Sequence, residues 1–123
     1  MKPDFPEHAS SCEAISAMLS RIGDKWSVLT VSYLGGGPMR FNELRRGIGN
    51  ISQKMLTATL RNLERDGFVT RAVTASRPPR VDYALTDLGH DLLCPIHALV
   101  QWTIENRTRI DAARTRFDRE NAA

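Results

Sequence analysis

The chain has 123 residues, of which 41% are hydrophobic, and this length and apolar content fit one globular domain over residues 1–123 with a modest core. No apolar run is long enough to span a bilayer, and the N-terminus lacks the apolar region of a signal peptide, so we expect a soluble, cytoplasmic protein without membrane contact. The formal net charge of +3 is too small by itself to indicate a partner.

The distribution of charge is more informative than its sum. Residues 40–80 contain nine Lys or Arg and three Asp or Glu, which gives this segment +6 and leaves −3 for the rest of the chain. A charge run usually marks only a solvated surface. A basic middle between mildly acidic ends is also the electrostatic footprint of polyanion binding.

The N-terminal part predicts a loose arm followed by a helix. Residues 1–9 contain two prolines and little apolar content, which is typical of a loose arm. The helix after it is expected to end near Ile22, because Ile15, Leu19 and Ile22 recur at the spacing of one buried stripe.

A second helix is expected over residues 25–34. Asp24 can cap it, and its apolar residues lie nearly all round the helix, which is typical of the central helix of a small core. Three glycines and Pro38 then end it.

A short helix, a glycine-containing turn and a longer helix follow. The short helix is expected over residues 42–47, after a short extended piece. Ser52 can cap the longer helix, and Gly67 can adopt the left-handed conformation just past its end. This order of elements, over residues 42–67, is the helix-turn-helix pattern.

The two faces of the longer helix differ in chemistry. Leu56, Leu60 and Leu63 recur at the i, i+4, i+7 spacing of one apolar face, and basic, hydroxyl and small side chains fall opposite. A surface helix with solvated charges is the alternative, but the basic segment and the order of elements favour a helix that enters a DNA major groove. The residues predicted to contact base edges or adjacent phosphates are Gln53, Lys54, Thr57 and Arg61, and Ser52 is also predicted to bind DNA.

After the longer helix the apolar period changes from 3.6 to 2, which predicts two strands. Pro78 and Pro79 cannot donate ladder hydrogen bonds, so they belong at the tip of the hairpin. A hairpin with arginines at its tip, directly after a DNA-reading helix, predicts a wing over residues 68–85. The residues predicted to contact the DNA backbone are Arg40, Arg77 and Arg80.

Residues 86–118 predict helices that mediate dimerisation. Thr86 is a suitable cap, and Pro95 predicts a kink or break because it lacks the N–H of the helical ladder. Beyond Pro95 the apolar band is wider than one contact surface needs, so we expect burial against a second subunit; the alternative is that the helix closes its own core. The residues predicted for the dimer interface are Ile96, Leu99, Val100, Trp102 and Thr103.

Catalysis finds little support in the residue pattern. The histidines do not cluster with cysteines or carboxylates at metal-ligand spacings, and the glycines at 35–37 lack the Lys-Ser/Thr of a phosphate-binding loop. We therefore expect no enzyme, no metal and no cofactor. Cys12 has two interpretations: a sensor thiol, favoured as thiolate by the positive end of a helix dipole, or a small packing residue.

The ordered motifs run through most of the chain, from Cys12 to Asp118. They are Cys12; Asp24-Lys25-Trp26; Arg40-Phe41-Asn42-Glu43-Leu44; Ile51-Ser52-Gln53-Lys54-Met55-Leu56; Leu60-Arg61-Asn62-Leu63-Glu64-Arg65-Asp66-Gly67; Pro78-Pro79-Arg80-Val81-Asp82-Tyr83; Leu85-Thr86-Asp87-Leu88-Gly89; and Trp102. With this set the chain resembles the HxlR-type family of bacterial winged helix-turn-helix transcriptional regulators. The resemblance implies a homodimer in which terminal helices pair and two recognition helices enter successive major grooves of a palindromic operator in double-stranded DNA. It also implies that some members sense oxidants or electrophiles through a cysteine near the N-terminus, the place that Cys12 occupies.

Together these expectations describe a mainly α fold with a small β-hairpin wing, in which N-terminal and C-terminal helices form a dimer interface. The expected function is a dimeric, sequence-specific DNA-binding transcriptional regulator, with Cys12 as a candidate redox sensor. The alternative is a winged-helix module that binds protein partners and not DNA. The resemblance identifies no small-molecule effector.

Overall fold

The computed structural model describes residues 12–122, which form five helices and three strands. The predicted arm over residues 1–9 lies outside this range. A mainly helical fold with a small antiparallel sheet is confirmed. In chain order the elements are α1 (Cys12–Ile22), α2 (Lys25–Leu34), β1 (Met39–Arg40), α3 (Phe41–Ile48), α4 (Gln53–Arg65), β2 (Val69–Thr74), β3 (Arg80–Leu85) and α5 (Asp87–Glu120).

Helix α2 lies at the centre of the core, as its apolar pattern predicts. The Asp24 carboxylate caps it by accepting the backbone N–H of Ser27 at 3.1 Å. Val31 and Leu34 are each 1% exposed, and side chains from every later helix and from the sheet join them. The buried apolar cluster comprises Val31, Leu34, Leu44, Ile51, Leu56, Leu60, Leu63, Phe68, Val69, Leu85 and Ile96.

Helix α1 is more exposed than its sequence predicts. None of its residues, all of which are described, is buried, and Leu19 is 54% exposed. The predicted buried stripe is therefore wrong for Leu19 in a single subunit, whereas Ile15 and Ile22 are half-buried and Ile22 packs against the core. An amphipathic spacing shows that a helix has an apolar face, but it does not show that the same subunit covers that face.

The hairpin is part of a three-stranded antiparallel sheet in the order β1-β3-β2. Strands β2 and β3 form the predicted hairpin, in a register that places Thr74 opposite Arg80. The extended piece predicted before α3 is strand β1, in which Met39 pairs with Tyr83 of β3. This pairing fixes the start of α3 against the hairpin.

Helix α5 runs without a break for 34 residues, or about 50 Å at 1.5 Å per residue. Thr86 caps it as predicted: its hydroxyl oxygen accepts the N–H of Gly89 at 3.1 Å, and the hydroxyl donates to the Gly67 carbonyl at 2.6 Å. The predicted break at Pro95 is wrong. The carbonyl that loses its intrahelical donor belongs to Asp91, an exposed residue, so water can solvate it.

Candidate nucleic-acid interface

One buried face fixes α4 against the core. Leu56, Leu60 and Leu63 are 0%, 1% and 0% exposed, which confirms the predicted apolar face. Thr59, at 4%, completes this face, although the apolar spacing did not include it because threonine is polar. With four side chains buried on one side, the opposite side of α4 must face away from the core.

The turn before α4 is held by side chains on both sides. The Ser52 hydroxyl oxygen accepts the N–H of Met55 at 3.0 Å, as predicted for a cap. Arg45 of α3 donates from Nε to the Ile51 carbonyl at 3.3 Å. Gly49 ends α3 with φ +94°, in the left-handed region that favours glycine. These contacts determine the angle at which α4 leaves α3.

The outward side of α4 is a stripe of polar, basic and small side chains, which we call the α4 stripe. Thr57 and Arg61 of this stripe line a shallow depression together with Arg71 of β2 and Tyr83 of β3. The stripe and the hairpin therefore share one continuous surface. The exposed members of the α4 stripe are Gln53, Lys54, Thr57, Ala58, Arg61 and Arg65.

A second basic cluster lies in an open cleft between α3 and the hairpin, which we call the arginine cleft. Four arginines line it: Arg40, Arg46, Arg77 and Arg80. The structure thus brings together the three residues predicted to contact the DNA backbone. Glu43, the one acidic side chain in the lining, is engaged at the start of α3, where it accepts the backbone N–H of Arg40 at 2.9 Å.

The two arginines at the tip of the hairpin, Arg77 and Arg80, differ in their surroundings. Arg80 Nε lies 3.0 Å from Asp82 Oδ2, because residues two apart on a strand share a face. This contact neutralises part of the Arg80 charge. Arg77 lies in the loop between β2 and β3 and has no carboxylate partner among the described residues. Arg77 is therefore the better placed of the two to meet an external anion.

Arg46 lines the arginine cleft, although the sequence analysis assigns it no role. Leu44 is the buried residue of α3, and at 100° per residue Arg46 lies 200° away, on the opposite face. This position opposite the buried residue could have identified Arg46 as outward-facing from the sequence. The helical position could not show that the hairpin lies beside this face of α3.

The residues predicted for the dimer interface fall into two groups. Ile96 is 5% exposed and belongs to the subunit's own core, so we correct its assignment. Leu99 and Trp102 are 56% and 55% exposed, Val100 is 37% exposed, and Thr103 is also exposed. These four side chains of α5 are therefore not part of the core of a single subunit.

Cys12 begins α1 and is exposed, as is Cys94 of α5. The packing interpretation of Cys12 loses support, because the stripe that it borders is not buried either. Within residues 12–122, no group of three or more His, Cys, Asp or Glu side chains is arranged to hold a metal ion. None of the helices in that range combines the length and apolar character needed to cross a membrane.

Comparison with known proteins places these features in a family. The model of the HxlR-like helix-turn-helix family matches residues 21–111. The chain belongs to the HxlR-like helix-turn-helix family. The resemblance inferred from the ordered motifs is thereby confirmed.

Relatives of this HxlR-like chain are named as helix-turn-helix-type transcriptional regulators. The helix-turn-helix-type transcriptional regulator YtfH of Escherichia coli (strain K12) is 39% identical over 110 residues, which are 89% of this chain and 84% of YtfH. The solved structure of the transcriptional regulator ytfH from Salmonella typhimurium superposes with a TM-score of 0.79 at 35% identity, covering 91% of this chain and 99% of the other. The redox regulator HypR in its oxidized form superposes with a TM-score of 0.71 at 39% identity, covering 76% and 96%. The chain is accordingly a winged helix-turn-helix transcriptional regulator and not an enzyme.

Proposed function

We propose that this regulator acts as a dimeric, sequence-specific DNA-binding protein. The observation that carries the proposal is that the α4 stripe and the arginine cleft both border the hairpin. A helix that presents donors and a small residue suits the major groove, where base edges accept hydrogen bonds. Arginines around α3 and the hairpin, which precede and follow α4 in the chain, suit the phosphates that flank the groove.

The residues divide into two roles. Gln53, Lys54, Thr57 and Arg61 face base edges and adjacent phosphates, because they lie on the outward side of α4. Four residues contact the DNA backbone: Arg40, Arg46, Arg77 and Ser52. The Ser52 oxygen accepts the capping hydrogen bond, and its O–H remains available to donate to a phosphate. Arg80 has a lesser direct role, since Asp82 neutralises part of its charge.

The exposed apolar side chains of α1 and α5 support the proposed homodimer. Leu19, Leu99, Trp102 and Ile104 are each more than half exposed in one subunit. Surfaces of this kind usually mark an interaction site, and a second copy would cover them. Such a dimer would place two recognition helices on successive major grooves of a palindromic operator. A regulator of this kind acts in the cytoplasm, in contact with the chromosome.

Selection of bound genomic fragments, followed by gel-shift titrations at several salt concentrations, tests the proposal. Replacing Arg61 with Ala should cost about 1–3 kcal/mol on the selected site and relax base preference there. Replacing Arg77 with Ala should weaken binding to all sequences alike and reduce the salt slope by about one unit. Arg107→Ala, in the exposed part of α5, is the control for loss of one positive charge.

The outcomes separate the proposal from its alternative. Unchanged affinity in both the Arg61 and the Arg77 variant would remove these assignments. A wild-type protein without salt-dependent affinity for duplex DNA would favour the protein-binding module instead.

A second proposal is that Cys12 makes DNA binding responsive to oxidants. Its support is the exposure of Cys12 at the start of α1 and the redox role of HypR. A peroxide would oxidise the Cys12 thiolate to a sulfenic acid and be reduced to water or an alcohol. The expected result is an oxidant-dependent change in DNA affinity that disappears in Cys12→Ser and persists in the control Cys94→Ser. An unchanged response in Cys12→Ser would contradict the proposal.

A further inference from the structure

An ion pair joins the last turn of α1 to the end of α4. Arg21 Nε lies 2.9 Å from Asp66 Oδ2, and the two side chains are 29% and 17% exposed. The other ion pairs within residues 12–122 are all more exposed. The Arg21–Asp66 pair is therefore the charge contact that water screens least, and it connects residues 45 positions apart in the chain.

The position of Asp66 calls for a compensating cation. Asp66 is the C-cap residue of α4, where the unpaired carbonyls form the negative end of the helix dipole. A carboxylate is disfavoured there, and Arg21 offsets both the carboxylate and the dipole. Oδ2 of Asp66 is buried and accepts no directed hydrogen bond, so the contact with Arg21 is one of charge rather than of aligned geometry.

Helix α1 has few other attachments to the subunit. Ile22 packs partly against the core, but no residue of α1 is fully buried, and Leu19 and Met18 are 54% and 47% exposed. Helix α4, by contrast, is fixed by its buried leucines. The Arg21–Asp66 pair thus links a weakly anchored helix that carries exposed apolar side chains to the end of the helix proposed to read DNA.

We infer that the Arg21–Asp66 pair is a positioning contact, which sets the C-terminal end of α4 relative to α1 and thereby the preference of the protein for its operator. Movement of α1 is transmitted to α4 through this pair. Loss of the pair lowers the affinity for the operator. It leaves the affinity for non-specific DNA unchanged, because that affinity depends on the total basic charge. The inference rests on the proposed DNA-binding function and adds a way in which that function is regulated.

Charge reversal tests this inference against simple electrostatics. Arg21→Glu lowers the net charge by two units and Asp66→Arg raises it by two, whereas the double variant leaves it unchanged. If total charge alone mattered, Asp66→Arg would bind DNA more tightly than the wild type. The positioning role predicts that both single variants lose about fivefold to tenfold in operator affinity relative to non-specific DNA, and that the double variant recovers most of it.

A matched control is available in α5. Arg107 and Asp111 form an exposed pair with Nε–Oδ2 3.8 Å apart, and reversing them makes the same changes in net charge. Arg107→Glu and Asp111→Arg should alter specific and non-specific binding in parallel. Thermal unfolding and sedimentation of every variant at one protein concentration report whether each remains folded and in the wild-type oligomeric state.

Milder substitutions keep the test decisive if a reversal variant fails to fold. Arg21→Gln and Asp66→Asn remove one charge each with little change in size, and each should lose operator preference by a few fold while staying folded. If the wild type selects an operator but Asp66→Arg binds that operator more tightly, the positioning role is overturned. Unchanged operator preference in Arg21→Gln and Asp66→Asn also overturns it. A wild type that selects no genomic fragment overturns the proposed function itself.

Discussion

Replacing Trp102 with Ala should dissociate the proposed dimer without unfolding the subunit. Trp102 is 55% exposed in a subunit, which corresponds to about 140 Å² of a residue that offers roughly 250 Å². Covering that area in a second copy would contribute about 3.5 kcal/mol per subunit, or about 7 kcal/mol per dimer, at about 25 cal/mol/Å². Since alanine retains part of the contact, we expect the dimer dissociation constant to rise on the order of a thousandfold.

Sedimentation over a dilution series measures this change directly. The control is Gln101→Ala on the same helix, because Gln101 Nε2 donates to Glu105 at 3.0 Å on a polar face. The control should retain the wild-type dissociation constant. Equal dissociation constants for Trp102→Ala and the wild type would refute the assignment of this face to the interface, and a wild type that is monomeric at every concentration would refute the dimer.

Three further substitutions test how the DNA-facing elements are held, each by denaturant unfolding at one protein concentration. Leu60→Ala opens a cavity under α4 and should cost about 3–4 kcal/mol, while a cost below about 1 kcal/mol would show that the core collapses around it. Gly89→Ala places a Cβ against the Phe68 carbonyl oxygen, so we expect a loss of about 1–3 kcal/mol; wild-type stability would mean that α5 shifts freely at its start. Ser52→Ala removes the cap of α4 and should cost about 1 kcal/mol, with Ser52→Thr as the variant that retains the cap.

The elements that could be predicted from sequence are those defined by near neighbours in the chain. The start of α4 after Ser52 and its end before Gly67, which has φ +86°, follow from cap chemistry within a few residues. The buried face of α4 follows from the 3.6-residue period, and the hairpin follows from a change of that period to 2. The same local rules placed Arg77 in the hairpin loop and Thr57 and Arg61 on the outward side of α4.

Long-range pairing decided what local rules leave open. The stripe of α1 was predicted to be buried, but a period identifies an apolar face without identifying the surface that covers it. Ile96 has the same character as Leu99, and only the packing of α5 against the core separates the two. Pro95 was expected to kink or break the helix, but the helix continues, and the carbonyl that loses its donor belongs to the exposed residue Asp91.

By itself, the sequence determined the order of elements, the family and the face of α4 that looks outward, because these depend on spacing and side-chain type. The tertiary structure decided which charges meet. It brought Arg46 beside the hairpin, set Asp82 against Arg80, and joined Arg21 to Asp66 across 45 residues. A charge in a sequence has no partner until the chain folds, since Coulomb attraction depends on distance in space and not on separation along the chain.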